Sequence, residues 1–212
     1  MARRNKQSLV KPDATVAANA RRIVSAQTAA FFAQEHYLND PDASTELHEM
    51  RIAAKRLRYA LELFSAVLGP DVDGCLDAIK EFQEIVGEIH DADVRAGMLR
   101  EYLHARVTEQ ADALAALAAG EASEDVTDTG IDAFKTQARA QVTAEEWVSE
   151  QVALAAAIAR TLGGRRERYA HLRAQWAGWQ KADLHGRLDA LSDATAVEHR
   201  HTTGEPVVPA SE

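Results

Sequence analysis

A single cysteine, Cys75, leaves this chain unable to form an internal disulfide, which fits a reducing compartment. Prolines number only five and glycines eleven, while alanine is abundant, a balance that favours helix. No apolar run approaches the roughly 20 residues of a membrane span, so no membrane partner is expected. The basic opening MARRNKQSLVKPD is not followed by an apolar stretch, so no secretory signal is read and the expected location is the cytoplasm. None of the patterns GxSxG, GxxxxGK[ST], HExxH or GxGxxG occurs. With them go the usual sequence signs of an activated serine, a phosphate loop, a zinc protease or a dinucleotide fold. No catalytic residue, metal or cofactor is expected.

What is present is enough chain for a core and a strongly uneven charge. At 212 residues the protein needs neither disulfide nor metal to fold, and its 46% hydrophobic and 27% charged content is ordinary for a globular chain. The net charge of −9 hides two basic segments. Residues 1–22 carry Arg3, Arg4, Lys6, Lys11, Arg21 and Arg22 against Asp13 alone; residues 160–181 carry Arg160, Arg165, Arg166, Arg168, Arg173 and Lys181 against Glu167. Residues 106–150 are acidic, with three basic residues against ten acids. Such a chain is no general nucleic-acid coat, yet a local basic surface can still hold a polyanion.

Apolar spacing is helical nearly everywhere, and no convincing period-2 run appears. A basic N-terminal segment over 1–12, expected to be flexible, precedes a first helix over 13–37 with Asp13 as cap. Asn39-Asp40-Pro41-Asp42 breaks it, and Asp40 or Asp42 caps a second helix that stops at Gly69-Pro70. A third helix is predicted over 72–89, and a fourth, capped by Asp91 or Asp93, runs to about 119. The acidic, turn-rich segment 120–130 reads as a linker. Beyond it, Thr143 and Glu146 have capping-box spacing ahead of a helix ending at Gly163-Gly164. One more helix places Tyr169, Leu172, Trp176 and Trp179 on one face, and 192–212 is expected to be disordered. The predicted fold is therefore all-α, six or seven antiparallel helices in a first bundle over about 13–119 and a second half over about 131–191.

Most of the functional signal lies in LHEMRIAAKRLRYALELF, residues 47–64. At about 100° per residue, Met50, Ala54, Leu57, Leu61 and Phe64 form a core stripe. His48, Arg51, Lys55, Arg58 and Glu62 form a second stripe beside it, bordered on its far side by Ile52, Tyr59 and Leu63. Three cations so spaced repel one another unless an acid or a bound anion neutralises them. The plain alternative is ordinary ion pairing: Glu62 with Arg58, and Glu46 and Glu49 offsetting the rest.

This helix, followed by FQEIVGEIHDADV, resembles the signature of the CHAD (conserved histidine α-helical) domain family. Members carry a histidine, an arginine three residues on, a Lys/Arg-Arg-Leu-Arg run, and later an L/V-G-x-x-x-D turn. The resemblance implies an all-helical fold of two four-helix bundles and binding of inorganic polyphosphate along a basic surface, often beside triphosphate-processing domains. Carried over, His48, Arg51, Lys55, Arg56 and Arg58 match the basic helix, while Gly87 and Asp91 match the turn, with His90 beside them. Arg21, Arg22 and Lys80 match more loosely. RRERYAHLRAQW adds Arg165, Arg166, Arg168 and Arg173 at a different spacing, so the second half reads as a divergent or shortened repeat.

The expected function is thus non-enzymatic binding of inorganic polyphosphate or a similar phosphate-rich polyanion, in the cytoplasm and at polyphosphate granules where these form. The alternative is a protein-interaction or accessory module that pairs with itself as a homodimer or with a triphosphatase-type partner. Nucleic acid is disfavoured, because the stripe lacks aromatic interleaving. His90, Asp91 and Asp93 form a nucleus for metal, but a capped helix start explains them more simply. Cys75 is read as a half-buried apolar residue, and the three tryptophans as core or interface.

Overall fold

The computed structural model describes residues 9–121, 128–142 and 145–193. They form six α-helices and one 3-10 turn, with no strand among the described residues: α1 (Val16–Phe32), the turn Glu35–Asn39, α2 (Ser44–Leu68), α3 (Val72–Glu121), α4 (Asp128–Val142), α5 (Glu145–Lys181) and α6 (Leu184–Ser192). The all-α architecture is as predicted. The chain separates into two compact units that interleave in sequence, one of Met1–Glu88 with Arg168–Glu212 and the other of Ile89–Glu167. This grouping differs from a division at 120–130, most of which lies outside the described residues, as do Thr143, 1–8 and 194–212.

Local chemistry sets most helix ends. Thr15, not Asp13, caps α1 by accepting from the Ala18 amide at 3.2 Å. The first helix ends at Phe32, short of the predicted 37, and the chain continues as the 3-10 turn. Neither Asp40 nor Asp42 caps α2: Asp40 accepts from the Asp42 amide at 2.9 Å in a local turn, and Ala43 occupies the cap position. Gly69 ends α2 at φ +98°, a conformation only glycine reaches cheaply, and Pro70 follows.

The interior of the long helices corrects the sequence reading. The predicted third and fourth helices are one, since α3 runs unbroken through Gly87 and Asp91. The matched turn is therefore absent, Asp91 caps nothing, and 13–119 does not make four helices. A mid-helix glycine costs about 1 kcal/mol against alanine. Here Ile85, Val86, Ile89, Ala92 and Ala96 are buried at helical spacing on both sides of it, which outweighs that cost. In the same way α5 passes through Gly163 and Gly164 without a break. The real break comes later, where Asp183 adopts the left-handed conformation (φ 51°) and caps α6.

In the first unit α1 packs against α2 and α6. Met50, Ala54, Leu57 and Leu61 of α2 are buried, as the wheel predicts, while Phe64 is only half-buried; Leu47 joins them, and α6 adds Leu184, Leu188 and Leu191. Aromatic rings join distant segments: Phe31 stands edge-on to Phe82 at 4.9 Å and to Trp176 at 5.6 Å. The buried Tyr169 hydroxyl donates to the Leu38 carbonyl at 2.8 Å. The second unit is held more by polar contacts. Arg106 pairs with Glu150 at 3.0 Å and lies 5.2 Å over the Trp147 ring, while the Tyr102 hydroxyl donates to Glu150 at 3.2 Å.

Cys75 is fully buried rather than half-buried, and burial pushes its thiol from 9.0 up to about 11. The unfolded chain therefore loses this proton first. Stability from the buried thiol is complete below about pH 9 and is lost as the pH rises towards about 11. We expect the native protein at pH 8 to resist a thiol-alkylating reagent that reacts at once in denaturant. The alkaline loss of stability should be smaller in Cys75→Ala, and rapid native alkylation would show that α3 opens locally around Cys75.

Candidate polyanion-binding surface

The apolar stripe of α2 fixes where its neighbours point. With Met50, Ala54, Leu57 and Leu61 sealed in the core, the stripe about a quarter-turn away is held at the rim, where His48, Arg51 and Arg58 are half-buried and Lys55 is exposed. Arg56, one residue past Lys55, is turned about 100° off this line and faces solvent. Ile52, Tyr59 and Leu63 on the far flank are exposed, Leu63 at 74%.

Ion pairing does not account for this rim. The Arg58 Nε lies 3.7 Å from Glu62 Oε1, beyond hydrogen-bond distance, and an i, i+4 helix pair is worth only about 0.3–0.5 kcal/mol. Neither Arg51 nor Lys55 forms an ion pair among the described residues, so Glu46 and Glu49 do not offset them. The Nε groups of Arg21, Arg51 and Arg58 are each shut off from water without a hydrogen-bond acceptor among the described residues. A buried donor left unmade costs about 1–3 kcal/mol.

Tyr59 does more than border the stripe, as its spacing alone suggested. The Arg58 guanidinium lies 5.0 Å and the Lys55 ammonium 5.8 Å from its ring centroid. One ring thus steadies two cations that would otherwise repel. The signal was available, since Tyr59 is i+4 from Lys55.

Of the looser positions, Arg21 and Arg22 of α1 lie in the same unit, half-buried. With Leu9, Ser25, Ala29 and Ser192 they line an open cavity of about 550 Å³. Arg22 also donates to Asn19 at 3.3 Å. Lys80 is exposed on α3 of this unit. His90, Arg165 and Arg166 belong to the second unit.

The arginines of the C-terminal basic segment are mostly engaged within the protein. Arg165 is buried and bound to Asp93, Arg168 bonds Glu88 at 2.7 Å, and Arg173 reaches Asn39 at 3.5 Å. Arg166 is exposed. Asp93 is thus an ion-pair partner rather than a helix cap. Among the described residues no group of three or more His, Cys, Asp or Glu is placed to hold a metal ion.

Removing one member of a buried ion pair leaves its partner's charge uncompensated. Arg165→Ala should destabilise the chain by about 2–3 kcal/mol, less than a fully buried pair because Asp93 keeps some solvent contact. Arg166→Ala should shift stability by no more than about 0.5 kcal/mol. Paired urea melts measure both, and equal small effects would place Arg165 among the surface cations after all.

Residues 2–100 match the model of the CHAD domain family. No curated protein and no solved structure matches the chain. The matched span holds α1, α2 and the first part of α3, and so every residue of the basic rim described above. The match covers 99 of the 212 residues, and over that span the chain is similar to the CHAD domain family.

Proposed function

We propose that this chain binds inorganic polyphosphate, or a similar phosphate-rich polyanion, on the α1–α2 surface of its first unit. The observation that carries the reading is the set of three half-buried guanidinium groups on Arg21, Arg51 and Arg58 whose Nε donors find no acceptor among the described residues. Guanidinium forks match phosphate oxygens bidentately, and Lys55 adds a mobile point charge. His48 opens the stripe one turn before Arg51, and Arg22 extends the set on α1. A chain of phosphates suits a line of cations better than a single anion does, because one ligand then relieves the repulsion along the whole stripe. The site offers cations and no facing pair of carboxylates, so we read it as binding without turnover.

A second reading, docking of a protein partner such as a triphosphatase or a second copy of this chain, draws on the exposed apolar border. Ile52, Tyr59 and Leu63 would suit a protein surface more than a phosphate chain. Competition separates the two. A polyphosphate module prefers long polyphosphate to DNA or RNA of equal charge, and an acidic protein surface does not compete with it.

Replacing Arg51, Lys55 or Arg58 with Ala should each weaken polyphosphate binding by about 1–3 kcal/mol, the worth of a charge-assisted hydrogen bond. The dependence of affinity on salt should flatten as well, because fewer counterions are released. Titrations across salt concentrations measure both effects, and unchanged affinity in a folded triple variant would overturn the assignment. Incubation with polyphosphate and Mg²⁺ should release no phosphate above a buffer control.

A further inference from the structure

The first unit carries a second cavity of opposite chemistry, about 240 Å³ in volume, formed by α1, the 3-10 turn, the end of α5 and the start of α6. Its walls are rings. Phe32 stacks on His185 at 4.0 Å with planes 17° apart and lies 5.6 Å from Trp176, and Trp176 and Trp179 meet edge to face at 6.2 Å. Its charged groups are two carboxylates, Glu35 and Asp183, and among the described residues no lysine or arginine lines it.

Both carboxylates are locked in place yet keep an oxygen to spare. The Trp176 indole donates to Glu35 Oε1 at 3.1 Å, and the Gln180 amide donates to the same oxygen, so Oε2 carries no hydrogen bond among the described residues. Asp183 sits in the left-handed conformation and accepts the Gly186 amide on Oδ1 at 3.2 Å. A Cβ on Gly186 would come within 2.3 Å of Asp183 Oδ2, so glycine at 186 is what lets this carboxylate stand at the rim.

Two opposing terms decide which ion the cavity takes. The N-terminus of α6 contributes about half a positive charge and favours an anion. Two full negative charges outweigh it, and the aromatic faces add attraction for a cation within about 6 Å. A metal ion would demand oxygen or nitrogen ligands around its whole sphere. A poorly hydrated organic cation is content with ring faces. We infer that this cavity binds a small quaternary ammonium compound of the choline type. Its cationic head would lie against Trp176 and Trp179, with Glu35 and Asp183 supplying the counter-charge. At about 240 Å³ the cavity is below the roughly 300–1,000 Å³ of drug-sized sites, which suits a headgroup.

Two of the three tryptophans line the cavity, so intrinsic fluorescence reports on it directly. Choline chloride added to the full chain should change the emission saturably, while NaCl at equal ionic strength and the neutral isostere 3,3-dimethylbutan-1-ol should not. The change should persist in Trp147→Phe, because Trp147 belongs to the other unit. Glu35→Gln keeps the acceptor for the Trp176 indole, and Asp183→Asn keeps a residue that tolerates the left-handed conformation. The double variant should bind choline about tenfold more weakly. If its melt shows misfolding, the same comparison is made with Glu35→Gln alone, for which a smaller loss is expected. A parent response that NaCl reproduces, equal binding of the neutral isostere, or unchanged affinity in a folded variant would each overturn the inference.

Discussion

The contact of Phe31 with Phe82 and Trp176 is what the first unit depends on. These residues come from α1, α3 and α5, and no short-range interaction would bring them together. Edge-to-face pairs of this kind are worth about 0.5–1.5 kcal/mol each beyond the area they bury. Met50, Leu57 and Leu61 of α2 are buried in the same unit, where α2 packs against the helix that carries Phe31. That packing is what sets Arg51, Lys55 and Arg58 at a rim rather than in open solvent. The same cluster carries the aromatic cavity, since Trp176 is both core and wall. One packing centre thus supports a basic surface and an acidic pocket.

Charge in this protein is sorted by pairing, not by number. Net charge is −9, yet the acids nearest in sequence do little to quiet the α2 cations. Other basic residues are closely held: Arg106 by Glu150, Arg165 by Asp93, and Arg187 by Asp71 through two hydrogen bonds of 3.0 Å. The Arg187 contact holds the Asp71 carboxyl below its ordinary range, and that of Arg106 does the same for Glu150. Against this background the guanidinium donors of Arg21, Arg51 and Arg58 that find no acceptor among the described residues stand apart.

Glycine and aspartate show how far a local signal can be trusted. Gly69 stops a helix because Pro70 follows it and the chain turns there at positive φ, both of which are local facts. Gly87, Gly163 and Gly164 do not stop theirs, although each resembles a breaker in isolation. Burial of residues on either side of Gly87 decides the outcome, and burial is not a property of a short window. The divergent second half, read from a changed spacing of basic residues, proves to be the place where arginines find internal acids.

The sequence by itself determined the all-helical class, the buried stripe of α2 and the cationic line beside it. Each is a matter of residue type and spacing on one helix, and the 3.6-residue period converts them directly into faces. It also carried the resemblance to the CHAD domain family, through the same eighteen residues and the segment after them. Only the tertiary structure decided which cations lack a partner. Arg165 and Asp93 are 72 residues apart, and Arg168 and Glu88 are 80 apart. The aromatic and acidic cavity was hidden for the same reason, being assembled from Phe32, Glu35, Trp176 and Asp183. Charge neutralisation and enclosure depend on distance through space, and long-range contacts fix that distance where no local pattern can.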